Sequence, residues 1–132
     1  MLFRSKKGEI SEATACFAER FQFNDWGIGL EFTDRRRLAE FFQKTREFYP
    51  DSSLQTYRIR VSGDYVFTQW MLQTVLTEPF FGGLSRKVPI SLHGASIVRI
   101  ENGKIKDWSD YYDGLKSRRT ALAAHFEEWV EL

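Results

Sequence analysis

Asp110 lies two residues from Trp108 and two from Tyr112, the spacing that puts all three side chains on one face of an extended strand. A carboxylate among rings loses hydration, which penalises its charged form and moves its titration toward neutral pH, where it can give or take a proton. The plainer reading is an exposed carboxylate, or one bonded to backbone at a strand end. Asp25 and Glu31 flank the break Gly27-Ile28-Gly29, a candidate mouth loop with a second acid, although loop carboxylates are more often solvated. His93 and His125 are the two histidines, and neither has a second ligand at metal spacing. The single cysteine, Cys16, excludes an internal disulfide and a cysteine-held metal, so neither metal nor cofactor is expected. Gly82-Gly83 and Gly27-Ile28-Gly29 lack the strand-glycine-helix setting of a phosphate loop.

These residues need a scaffold, and the hydrophobic periods supply one. Ile10 to Ala18 reads as a short helix leading into a strand that carries Phe21 and Phe23. Thr33 or Asp34 can cap a helix whose Leu38, Phe41, Phe42, Thr45, Phe48 and Tyr49 recur at three- and four-residue spacing, and Pro50 stops it. From Leu54 the period becomes two. Tyr57, Ile59 and Val61 form a strand, and Ser62-Gly63-Asp64 turns it into a long strand from Tyr65 to Leu76, apolar on both faces. A second long strand spans Val88 to Ile100, and Asn102-Gly103 is a strong hairpin signal before the return strand from Lys104 to about Tyr112. Asp113 can cap a terminal helix with Leu115, Leu122, Phe126, Trp129 and Val130 on one stripe. On this register Trp26, Trp70, Leu72, Leu92, Trp108 and Tyr112 could line a shared cavity, against ordinary core packing for any one of them.

With 132 residues and 42% hydrophobic content, the chain has room for one domain, 1–132, with a real core. Nineteen basic against 18 acidic residues leave +1, so no strong field draws nucleic acid or an anionic membrane. Arg35-Arg36-Arg37 and Arg118-Arg119 lie among acidic neighbours on presumed helix faces. Twelve Phe, five Tyr and four Trp are enough to line an apolar pocket. The start has its charge after a very short apolar run, the reverse of a signal peptide, and no stretch reaches membrane-spanning length; a cytoplasmic protein is expected.

Helices followed by a long antiparallel sheet make an α+β domain. The stretch Ser91-Leu92-His93-Gly94-Ala95-Ser96-Ile97-Val98-Arg99-Ile100-Glu101-Asn102-Gly103-Lys104-Ile105, followed by Asp107-Trp108-Ser109-Asp110-Tyr111-Tyr112-Asp113, resembles the last hairpin of the NTF2-like superfamily, nearest its SnoaL-like and limonene-epoxide-hydrolase-like branch. The resemblance implies a cone: a curved, mixed sheet of the cystatin-like type wrapped around helices, an apolar cavity between them, and a homodimer through the outer sheet face. Members usually open with a long helix, and only Met1 to Glu9 precedes Ile10, so the first helix should be shortened.

The epoxide hydrolases of the superfamily use an Asp-Arg-Asp set. Its first two positions correspond here to Trp70 and Leu72, and only the last acid is kept, as Asp110. Polyketide-cyclase relatives pair a His with an Asp, but strand alternation groups His93 with Ser91, Ala95 and Ile97, opposite Leu92, Ser96 and Val98, and turns it toward the dimer face. The expectation is a pocket for a small apolar molecule of terpenoid, steroid or polyketide type. Asp110 would act on it as general acid or base in a cofactor-independent isomerase, cyclase or hydrolase. A non-catalytic binding module and a dimerisation scaffold of the same fold are the alternatives.

Overall fold

The computed structural model describes residues 7–79, 83 and 85–114. In chain order they form helix α1 (Lys7–Ala15), strands β1 (Phe17–Asp25) and β2 (Leu30–Phe32), helix α2 (Arg35–Phe48), and strands β3 (Ser53–Ser62), β4 (Tyr65–Pro79), β5 (Ser85–Glu101) and β6 (Lys104–Tyr112). The strands make one six-stranded sheet in the order β2-β1-β6-β5-β4-β3, antiparallel except for the parallel β1–β6 pair. Among the described residues, two helices on a curved mixed sheet make the expected α+β, NTF2-like architecture, with nine described residues in α1. The terminal helix expected after Asp113 lies outside the described residues.

Local chemistry explains most boundaries. Asp34 caps α2, accepting the Arg37 N–H at 3.1 Å, and the helix ends where the Tyr49 N–H closes back on the Thr45 carbonyl, one residue before Pro50. Asn102 and Gly103 take φ of 53° and 75°, the left-handed pair that a tight hairpin between β5 and β6 requires. The stretch after Asp25, expected as a loop, instead carries the short strand β2. Its turn closes through Gly29 N–H on the Asp25 carbonyl at 2.8 Å, with Gly29 at φ 73°.

Two apolar clusters hold the concave side. In one, Ile10, Phe17, Phe21, Phe23, Leu38 and Phe42 join α1 and α2 to β1; in the other, Trp70, Leu72, Val88, Ile90 and Leu92 cover the middle of β4 and β5. Register fixes which residues face inward, because partners across a sheet share a face. Thr68, Ser96 and Asp110 are successive partners, as are Trp70, Gly94 and Tyr112. Gly94 lies under Trp70: a Cβ there would collide with the indole ring. Tyr65, Phe67 and Ile97 share the outer face and stay exposed, as does His93.

Candidate functional site

Between the clusters lies a cavity of about 240 Å³, walled by Phe23 of β1, Phe41 and Phe42 of α2, and Trp70, Leu72 and Leu92 of the sheet. Its polar end is built by the ends of β1 and β6. These strands run parallel with Asp25 opposite Asp110, so strand alternation sets two carboxylates side by side on the inner face. Both are buried, at 7% and 8% exposure.

Asp110 is held through one oxygen. Ser96 Oγ–H donates to Asp110 Oδ1 at 2.5 Å, and the Trp108 indole N–H donates to the same atom at 2.7 Å. Ser96 Oγ in turn accepts the Trp70 indole N–H at 2.9 Å, which fixes the direction of its own proton. A carboxylic acid so arranged carries its proton on Oδ2, the oxygen that takes part in neither bond. Desolvation pushes the Asp110 carboxyl up to about 6; the bonds from Ser96 and Trp108 oppose the rise, and the nearby Asp25 charge adds to it.

Asp25 is held differently. Burial raises it too, while a hydrogen bond from Tyr112 and the Ile28 and Gly27 amides favour its charged form. Ile28 N–H reaches Asp25 Oδ1 at 3.2 Å, so the turn after β1 serves as a small anion cradle. Burial, and then the Asp25 charge, push the Tyr112 phenol well above its usual range, so it remains a donor. The Gly27 backbone packs so closely on the Tyr112 ring that a Cβ there would enter it. The acids therefore differ in their partners: burial raises both, the turn amides and Tyr112 oppose the rise at Asp25, and Asp110, pushed up to about 6, keeps one oxygen free of these bonds.

Of the residues singled out from sequence, Asp110, Trp70, Leu72, Leu92, Trp108 and Tyr112 all border this cavity. Trp26 does not. Asp25 is the last residue of β1 and faces inward, so Trp26 opens the turn on the other side; its amide continues the pairing to the Asp110 carbonyl at 3.0 Å, and its ring is 45% exposed. Glu31 is also outside, exposed and accepting from Gln22 Nε2 at 3.2 Å. Asp25 and Ser96 are the members that sequence reasoning underrated. Asp25 continues the inward alternation of Phe21 and Phe23, the signal that could have found it. Ser96 has only its inward parity to mark it. No group of His, Cys, Asp and Glu among the described residues could hold a metal ion. No helix among them is long and apolar enough to cross a membrane.

A profile of the SnoaL-like polyketide cyclases matches residues 3–120. The chain belongs to this family. Solved structures agree on the fold. A SnoaL-like protein from Shewanella denitrificans OS-217 superposes with a TM-score of 0.73 at 12% identity, over 89% of this chain and 88% of that one. An NTF2-like protein from Burkholderia thailandensis E264 gives 0.70 at 13% identity, over 85% and 84%. A protein of ketosteroid isomerase-like fold from Catenulispora acidiphila DSM 44928, solved in complex with trimethylamine, gives 0.65 at 18% identity, over 78% and 74%. No curated protein matches the chain.

Proposed function

We propose that this SnoaL-like protein binds a small apolar, oxygenated molecule of terpenoid, steroid or polyketide type in the cavity and moves a proton on it through Asp110, without a cofactor. The observation that carries this reading is the held geometry of Asp110, buried beside an apolar cavity with Oδ1 fixed by Ser96 and Trp108. An acid titrating near 6 is suited both to abstract a proton next to a carbonyl and to return it. Trp70 and Leu72, where epoxide-hydrolysing relatives have Arg and Asp, leave no group to polarise an epoxide, which favours proton transfer over epoxide opening.

The test is deuterium uptake from heavy water at the carbon beside the carbonyl in a panel of small cyclic ketones. Wild type should accelerate exchange with a midpoint near pH 6, and Asp110→Asn should reduce it on the order of 100-fold or more. Equal rates in the two proteins would overturn the assignment. A binding module is the second reading, favoured by the same loss of the Arg and Asp positions to Trp70 and Leu72. It would hold neutral ketones with unchanged affinity in Asp110→Asn and catalyse no exchange.

We also infer a homodimer through the outer sheet face, supported by the exposed strip of Tyr65, Phe67, Ile97 and Tyr111 across β4, β5 and β6. The domain reading of 1–132 and a cytoplasmic setting belong to the same proposal.

A further inference from the structure

Resting on the reading that the cavity takes a small organic molecule, the cavity walls point to the charge of that molecule, whether or not Asp110 moves a proton on it. We propose that the acid end binds an alkylated ammonium group, a tertiary or quaternary amine, held over the rings of Trp70 and Tyr112 and beside Asp25 and Asp110.

The first ground is an unmet charge. Asp25 and Asp110 both border the cavity, and among the described residues no Lys, Arg or His does. Both acids are buried, and Asp110 spends Oδ1 on both of its bonds, from Ser96 and Trp108, which leaves Oδ2 outside them. These neutral donors ease a buried carboxylate without cancelling its charge, and the charge of Asp25 weighs on Asp110 as well. The positive chain terminus is the smallest of the influences on Asp110. A cation at the two acids relieves their repulsion, whereas an anion would add to it. No group of His, Cys, Asp and Glu among the described residues could hold a metal ion, so the cation expected is organic.

The second ground is the way the rings lie. Gly94 packs under the Trp70 indole and Gly27 against the Tyr112 phenol, so closely that a Cβ at either glycine would enter the ring. Each ring is thus laid by one face on backbone, which leaves its other face toward the cavity that both border. Their centroids are 5.9 Å apart, so one cation can lie within about 6 Å of both. A ring face is the negative side of the aromatic quadrupole and attracts a cation; being apolar, it prefers one whose charge is spread over alkyl groups to a small, strongly hydrated ion. Phe41, Phe42, Leu72 and Leu92 supply the apolar surface for the carbon body of such an amine.

Charge and rings together make binding depend on protonation. A cation beside Asp110 favours its charged form, so near and below the midpoint of about 6 binding releases a proton, and affinity for the cation rises with pH through that value. The other titratable groups on the described cavity wall are Asp25, Tyr49 and Tyr112. Burial raises Asp25 in the same sense, and it pushes both phenols upward, so they stay neutral in this range.

The test uses two probes of one shape that differ in charge, phenyltrimethylammonium and tert-butylbenzene. Trp70 and Trp108 border the cavity, so quenching of intrinsic fluorescence reads binding to the full chain. At pH 7.5 the cation should bind about tenfold or more tighter than the hydrocarbon, and the ratio should shrink at pH 5, where Asp110 holds its proton. Calorimetry at pH 6 in two buffers of different ionisation enthalpy should show proton release with the cation and none with the hydrocarbon. Asp110→Asn and Asp25→Asn should each reduce the preference for the cation about threefold or more, with the hydrocarbon bound as before. Equal affinities of the two probes for wild type would overturn the cation site and leave the proton-transfer reading to its own test in deuterium uptake. A preference that persists undiminished in Asp110→Asn, or cation binding to wild type without proton release, would overturn it too. If neither probe bound, the cation site would fall together with the cavity reading. Should a variant lose its fold, the pH dependence and proton release of wild type decide the point.

Discussion

At the scale of single residues, the site works by giving two neighbouring carboxylates different surroundings. Burial raises both; at Asp25 amide and phenol donors from the turn and Tyr112 oppose the rise, whereas at Asp110 a hydroxyl and an indole on one oxygen oppose it and the Asp25 charge adds to it. The consequence for stability has a definite sign. Asp110 titrates at about 6 in the fold against 3.8 when unperturbed, so between those values the folded state holds more protons than the unfolded one, and stability falls as pH rises. The loss is complete above the folded value and amounts to roughly 2–3 kcal/mol. Asp110→Asn keeps an oxygen to accept from Ser96 and Trp108 and cannot ionise. Its melting temperature relative to wild type should therefore rise from pH 4 to pH 7.5, and a difference independent of pH would count against a buried, ionising Asp110. Ser96→Ala removes a donor that favours the anion, so the Asp110 midpoint should move upward. A carboxyl titration by NMR checks that shift, and no change or a fall would show that Ser96 does not act on Asp110.

At the scale of elements, the periodic parts were legible in the sequence and the site only in part. The amphipathic α2, the long β4 and β5 and the Asn102-Gly103 hairpin follow from spacing and turn chemistry, because each is decided by neighbours along the chain. Asp110, Trp108 and Tyr112 were placed on one face by alternation within β6 alone. Asp25 reads in the sequence only as an acid of a mouth loop, since its partnership with Asp110 depends on β1 pairing in parallel with β6, a contact between segments some 85 residues apart. Trp26 was misassigned for a related reason: where β1 ends decides its direction, and the turn-forming role of the Asp25 side chain sets that end. Close approach of strand to ring is equally invisible in one dimension. Gly94 lets Trp70 lie flat across β5, so Gly94→Ala should destabilise the fold by about 1–3 kcal/mol through overpacking and should displace Trp70 from Ser96. Urea unfolding followed by tryptophan fluorescence measures both effects, and a neutral substitution would show that β5 can yield there.

At the scale of the whole molecule, the curved sheet divides two tasks between its faces. The concave face, roofed by α2, makes the cavity; the convex face presents Tyr65 and Phe67, whose rings stack at 6.2 Å, beside Ile97 and Tyr111. An exposed apolar patch of this kind is what the proposed dimer would cover. Light scattering at micromolar concentration should give twice the chain mass, with Phe67→Lys shifted to monomer; a monomeric wild type would contradict the dimer. The central claim is that the concave face holds an acid poised to exchange protons within an apolar cavity, and the direct measurement is the Asp110 carboxyl titration by NMR in the full chain. The account predicts a midpoint near 6, and a midpoint at or below 3.8, the value of an ordinary solvated aspartate, would contradict it.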